Sequence, residues 1–98
     1  MRAGRLLAAI AIAVACSSTA LPAAPPPPGA SSCSGCHATR AAVDTAVPRL
    51  AGRKAADIVA QMQAFKTGER PSTVMGRIAK GFTPAEVEAI AAWYAQQK

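Results

Sequence analysis

Hydrophobic and polar positions divide the 98 residues into stretches with different periods. Leu6 to Ala15 is apolar at every position, with no polar face at all. Ser17 to Ser32 is mostly Ala, Pro and Ser, with Pro25-Pro26-Pro27-Pro28-Gly29 in its middle, and has neither a helical nor a strand period. Ala38 to Ala46 also lacks a clear period and reads as a loop. From Lys54 to Thr67 the pattern becomes helical. Ile58, Val59, Met62 and Phe65 recur on one face, and Gly68 stands where a helix stop belongs. Gly68 to Gly81 is interrupted by Pro71, Gly76 and Gly81, which predicts loop with at most one short turn. Thr83-Pro84-Ala85-Glu86 then carries two helix-start signals: a Thr/Glu capping box, and a proline at the first helical position. Val87, Ile90, Ala91 and Tyr94 follow as an apolar stripe with Trp93 beside it, so a closing helix should run close to Lys98. The sum is a small all-α domain over residues 31–98.

The first stretch is of another kind. Arg2 and Arg5 precede the apolar run, and a basic head before an apolar segment too short to span a bilayer reads as an export signal over residues 1–15. Two readings of its end stay open. Ala13-Val14-Ala15-Cys16 resembles a bacterial lipoprotein signal, in which Cys16 is lipidated, although Ala13 stands where leucine is usual; Ser18-Thr19-Ala20 suits ordinary cleavage. Residues 16–30 form an Ala/Pro-rich linker. In extended polyproline geometry of ~3.1 Å per residue it would hold the domain up to roughly 50 Å from a lipidated Cys16. A remnant with no spacing role is the alternative. The expected location is periplasmic, with or without a membrane tether.

Composition sharpens the picture in two ways. A domain of this size builds only a thin core, and Phe65, Phe82, Trp93 and Tyr94 are its only aromatic residues. A large apolar cofactor would supply the missing mass. Removing Arg2 and Arg5 from the eleven basic residues leaves nine against five acidic ones, a formal +4. This favours an acidic docking surface or anionic lipid. Nucleic acid is a poor reading, because the chain is exported and has no basic patch with interleaved aromatics.

The candidate chemistry lies in Cys33-Ser34-Gly35-Cys36-His37. This is the attachment pattern of c-type haem. Thiols at i and i+3 share one side of a helical turn, as two thioether bonds to a single porphyrin edge require. The next residue can then place an imidazole nitrogen on the iron, and Gly35 lets the ring approach the backbone. A structural zinc site would want a second ligand pair, and only Cys16 remains as a sulfur donor, with His37 the single histidine. A redox dithiol belongs in a βαβ setting that this chain lacks. Pro48 is placed to offer a carbonyl to the free nitrogen of His37. Arg49, Arg53 and Lys54 are candidates to meet the propionates, or else belong to a solvated basic face. Met75, outside any apolar stripe, is the better candidate for the distal iron ligand; Met62 belongs to the packing face. Iron held by both His37 and Met75 has no open position, which points to electron transfer, and no separate catalytic constellation accompanies it.

Together with the haem motif, Pro48-Arg49-Leu50-Ala51-Gly52, Phe65-Lys66-Thr67-Gly68-Glu69-Arg70 and Trp93-Tyr94 resemble class I cytochromes c of the small bacterial c4 and c553 kind. Ser72 to Phe82 resembles the distal loop of the cytochrome subunit of flavocytochrome c sulfide dehydrogenase. That resemblance covers roughly Ser32 to Gln97. It implies one covalent haem c on Cys33 and Cys36, His37 and Met75 as axial ligands, and an FAD-containing subunit that oxidises sulfide and passes electrons to this haem. Some subunits of that family carry two haem domains, whereas this chain has one motif, and the segment after His37 lacks their Gly-rich start. An independent periplasmic or lipid-tethered carrier serving other redox proteins is the alternative. A haem-based sensor is a third reading, and would need a labile sixth ligand.

Overall fold

A computed structural model describes residues 12–38 and 46–98. Four helices, and no strand among the described residues, follow in order: α1 (Ala30–Cys33), α2 (Ala55–Thr67), α3 (Met75–Lys80) and α4 (Pro84–Ala95). The basic head and most of the apolar run of the leader lie outside the described residues. So do residues 39–45, which make up most of the loop expected after the haem motif.

Helix α2 buries Ile58 on the face the sequence predicts, and Gly68 closes it in a left-handed conformation (φ 78°) with its N–H bonded to the Phe65 carbonyl. Helix α4 opens with the full capping box. The Thr83 hydroxyl accepts from the Glu86 N–H at 3.3 Å, and the Thr83 N–H donates to the Glu86 carboxylate at 2.7 Å. Ile90, Ala91 and Tyr94 are its buried stripe. The helix ends at Ala95, somewhat short of the expected run to Lys98, with Gln96 as its cap.

One stretch differs from expectation. Residues 75–80, read as loop with at most a short turn, form the six-residue α3. Gly76 was the misleading signal. It does not break the helix: a Cβ there would lie 3.3 Å from the Ser72 hydroxyl and 3.5 Å from the Phe65 carbonyl. Helix α3 packs on α2, and the Ser72 hydroxyl accepts the Gly76 N–H at 2.8 Å. Six residues are too few to display a repeating stripe, so the pattern hid the helix.

The core is correspondingly small. Ala30, Ile58, Ile90, Ala91 and Tyr94 form its buried cluster, and among the described residues Tyr94 is the only large side chain completely enclosed. Phe82, at the α3–α4 corner, packs on this cluster and lies so close to Gly29 that a Cβ there would fall 2.7 Å from its ring. Lys66 ties the same corner to α2 by donating to the Phe82 carbonyl at 3.0 Å. Residues 12–27 have no regular structure. Among the described residues, their one side-chain hydrogen bond to the helices is from the Trp93 indole, which donates to the Ala24 carbonyl at 3.0 Å. No helix among the described residues is long and apolar enough to cross a membrane.

Candidate functional site

The haem motif continues the sense of α1 beyond its last residue. The amides of Cys36 and His37 both donate to the Cys33 carbonyl, at 3.2 and 2.9 Å, so Cys33 and Cys36 stand one helical turn apart. Cys33 packs against the core, while Cys36 is exposed. A Cβ on Gly35 would have one neighbour within 4 Å, the Ser32 carbonyl oxygen at 3.4 Å, so the space over this turn is open. Burial pushes the Cys33 thiol up, partly offset by a backbone hydrogen bond.

His37 is 9% exposed, and its Nδ1 donates to the Pro48 carbonyl at 2.6 Å. That bond fixes the tautomer and leaves Nε2 with its lone pair free, as a histidine ligand to iron requires. The Pro48 segment is itself fastened. Leu50 packs on the core, and the Gly52 N–H donates to the Tyr94 carbonyl at 3.0 Å. At its other end, the Tyr94 hydroxyl donates to the Ala30 carbonyl at 2.6 Å. A single residue of α4 therefore holds both the helix carrying Cys33 and the loop carrying Pro48. Sequence reasoning gave Tyr94 only a place in an apolar stripe. The available signal was its hydroxyl, since a tyrosine in a core position must find a polar partner. Burial pushes the Tyr94 phenol up, and the nearby Cys33 adds to the shift.

The residues around this turn fit a porphyrin better than a metal ion alone. Among the described residues no three His, Cys, Asp or Glu side chains come together, so a zinc site has no ligand set here. The Nε of Arg49, next to Pro48, is buried without a hydrogen-bond partner. A buried guanidinium N–H normally has an acceptor, and a carboxylate such as a propionate would supply one. Arg53 and Lys54 are exposed, so of the three basic candidates Arg49 alone has this unmet donor. Val74, the N-cap of α3, and Ile78 within that helix are 56% and 39% exposed, apolar surface that a flat ring would cover.

Met75 is the first residue of α3 and is half-buried. Met62 packs on the core cluster from α2, beside a shallow groove shared with Val59, Phe82 and Val87. The structure brings Cys33, Cys36 and His37 together with Pro48 and Arg49. It carries Met75 on a separate element, joined through α2.

Comparison with known proteins agrees with this geometry. No protein-family model matches the chain. Over 63 residues, 64% of this chain and 57% of the relative, it is 41% identical to the cytochrome subunit of sulfide dehydrogenase from Chlorobaculum tepidum. Over 74 residues, 74% of this chain, it is 36% identical to the thiosulfate dehydrogenase electron acceptor of Thiomonas intermedia, of which the match covers 34%. Over 61 residues, 62% of this chain, it is 36% identical to cytochrome c-552 of Acidithiobacillus ferridurans, of which it covers 26%. The chain thus spans little more than half of the first relative and about a third or less of the other two. It resembles c-type cytochromes, the sulfide dehydrogenase subunit among them, and its helical architecture is consistent with the small all-α cytochrome c fold. These relatives indicate a cytochrome electron carrier.

Proposed function

We propose that this chain is a monohaem electron-transfer protein that accepts single electrons from an FAD-containing subunit during sulfide oxidation. The observation that carries the haem reading is the 2.6 Å bond from His37 Nδ1 to the Pro48 carbonyl, because it prepares the opposite nitrogen for iron. When bound, the haem supplies a one-electron Fe(III)/Fe(II) couple. Cys33 and Cys36 would hold it by thioether bonds. His37, oriented by the Pro48 carbonyl, would supply a nitrogen to the iron and Met75 a thioether, a pair that gives a higher potential than two nitrogen ligands. Arg49 would meet a propionate with its buried N–H. Apolar side chains around the ring would exclude water, and low polarity around the iron favours the less charged, reduced state.

The sulfide role is supported by the likeness of Ser72 to Phe82 to the distal loop of sulfide dehydrogenase cytochromes and by the 41% identity to such a subunit. The likeness to an electron acceptor of thiosulfate dehydrogenase favours a second reading, a carrier that moves freely between redox proteins. In either case the chain works in the periplasm, with Cys16 as the point where a lipid would tether it. Expression with a haem-attachment system separates the outcomes. Acid–acetone extraction should leave one haem per polypeptide by mass spectrometry; extractable haem, or none, overturns the reading. Sulfide should reduce that haem only when an FAD-containing sulfide dehydrogenase subunit is added. Reduction at the same rate by sulfide alone removes the partner.

A further inference from the structure

We propose that the Trp93 end of α4 is a polyproline-binding face, and that the chain's own residues 24–29 occupy it as a strap along the helix. The two ends of this segment are fastened separately. At one end the Trp93 indole donates to the Ala24 carbonyl at 3.0 Å. At the other, the Ala30 N–H donates to the Pro27 carbonyl at 3.1 Å, and the Gly29 carbonyl accepts from the Ser32 hydroxyl at 2.6 Å. Gly29 turns there with φ 87°, and a Cβ on it would lie 2.7 Å from the Phe82 ring and 3.5 Å from the Ile90 side chain. Ala30, which follows, is fully buried.

The lengths agree. Proline runs favour extended geometry of ~3.1 Å per residue, so the steps from Ala24 to Gly29 span about 15 Å. Helix α4 rises ~1.5 Å per residue, or about 14 Å from Pro84 to Trp93. The strap therefore matches the helix from the Phe82 corner to Trp93. Polyproline geometry also repeats every three residues, and Ala24 and Pro27 are the two residues of the run whose carbonyls are taken. Pro27 is half-buried, whereas Pro25, Pro26 and Pro28 are exposed.

One exposed hydrogen bond holds little alone. The prolines change that, because their rings fix the backbone beforehand and leave little conformational entropy to lose on docking. They carry no N–H, so the strap presents few donors to be satisfied, while its carbonyls remain available to an indole. Aromatic faces take proline-rich segments by this chemistry. Trp93 is the chain's single tryptophan, and its ring stands edge-on to Tyr94 at 4.9 Å, the residue whose hydroxyl holds Ala30. Cleavage after Ala20 and lipidation of Cys16 both leave residues 24–29 in the mature chain. The folded unit then starts at Ala24, inside the stretch that reads as linker. A tether from Cys16 is left with residues 17–23, ~22 Å when extended instead of roughly 50 Å. None of this depends on the identity of the redox partner.

The test uses residues 17–98, exported behind an unrelated signal, loaded with haem, reduced and labelled with nitrogen-15. Backbone order parameters should lie near the rigid value of about 0.85 at Ala24 and Gly29, and below about 0.6 at residues 17–20. Trp93→Phe keeps a ring and removes the donor. Ala24 should then fall below about 0.6, while Gly29, held at the other end, keeps its value. Pro25→Ser combined with Pro26→Ser changes two exposed residues and leaves Trp93 in place. It should loosen Ala24 likewise and speed hydrogen exchange of the indole N–H by at least about threefold. Pro22→Ser, outside the strap, should change neither readout. An Ala24 as mobile in the wild type as residues 17–20 overturns the strap. So does an Ala24 that stays rigid in Trp93→Phe, or a Pro22→Ser that loosens it as much as the paired proline change does.

Discussion

The two sides of the site are built differently. On the cysteine side every piece is held by a hydrogen bond to a backbone carbonyl: the His37 ring to that of Pro48, the Gly52 N–H to that of Tyr94, and the Tyr94 hydroxyl to that of Ala30. On the methionine side, Met75 begins a six-residue helix whose N-cap, Val74, makes no side-chain hydrogen bond, and whose neighbours Val74 and Ile78 are open to solvent. The first side is assembled before the cofactor is considered. The second leans on α2 and leaves apolar surface for a ring to cover. The cysteine side should therefore decide whether the holoprotein exists, and the methionine side what its iron does.

The strongest test of that division is Cys36→Ser. Cys36 is exposed, so its replacement removes no packing. Covalent haem at one bond instead of two, and poor accumulation of folded protein, should nevertheless follow, because so thin a core leans on the ring. Heat or protease challenge of the purified variant, with haem content by mass spectrometry, measures this. Full stability with haem lost would mean that the four helices suffice alone.

Next in size is Met75→Ala. Covalent haem should remain, while the weak near-infrared charge-transfer band of thioether-ligated ferric haem disappears. Cyanide and carbon monoxide should then bind, and the potential should fall. Met62→Leu should keep the band and cost less than about 1.5 kcal/mol, since it exchanges similar volumes beside the core. The opposite pair of outcomes would reverse the ligand assignment.

The same contrast explains what the sequence could reveal. The cysteine side is written in local spacing and in chain chemistry: the Cys-x-x-Cys-His turn, a proline able to present a carbonyl to His37, and the Gly68 and Thr83 signals that bound the flanking helices. All of these appear where the residues place them. The methionine side was legible only as a residue outside a stripe. Its helix was hidden because six residues show no repeating stripe, and a single-sequence pattern cannot tell a glycine that breaks a helix from one inside it. Tyr94 was missed as a fastener for a related reason. Its partners, Ala30 and Gly52, lie 64 and 42 residues away along the chain, and tertiary hydrogen bonds leave no periodic trace.

Tyr94→Phe probes that fastener directly. Loss of the hydroxyl leaves the Ala30 carbonyl of a fully buried residue without its partner, at a cost of about 1–3 kcal/mol by thermal or denaturant unfolding. The effect also has a pH signature. Burial raises the folded-state phenol above its ordinary value of 10.0. Its contribution is therefore complete below that pH and is lost as pH rises through the folded value. Wild-type protein should lose stability more steeply than Tyr94→Phe in that alkaline range, and with Cys33 held in a thioether no thiol there would add to the slope. Parallel alkaline limbs would place the sensitivity in another group.

The smallest expected effect tests where the boundary between the two sides runs. Helix α4 serves the cysteine side through Tyr94 near its C-terminus, and meets α3 through Phe82 and Thr83 at its start. Thr83→Ala removes the hydroxyl that accepts the Glu86 N–H, and should cost about 1 kcal/mol, seen as roughly 4–8 °C in Tm for a domain of this size. Glu86→Gln should cost only a few tenths of a kcal/mol, because glutamine can still accept from the Thr83 N–H and gives up only the charge near the helix dipole. Neither change should alter haem content or the methionine-dependent band, since Lys66 holds the Phe82 carbonyl independently of the cap. A weakened band in Thr83→Ala, with haem content intact, would show that the start of α4 positions Met75. The methionine side would then extend from α3 into the helix that also fastens the cysteines.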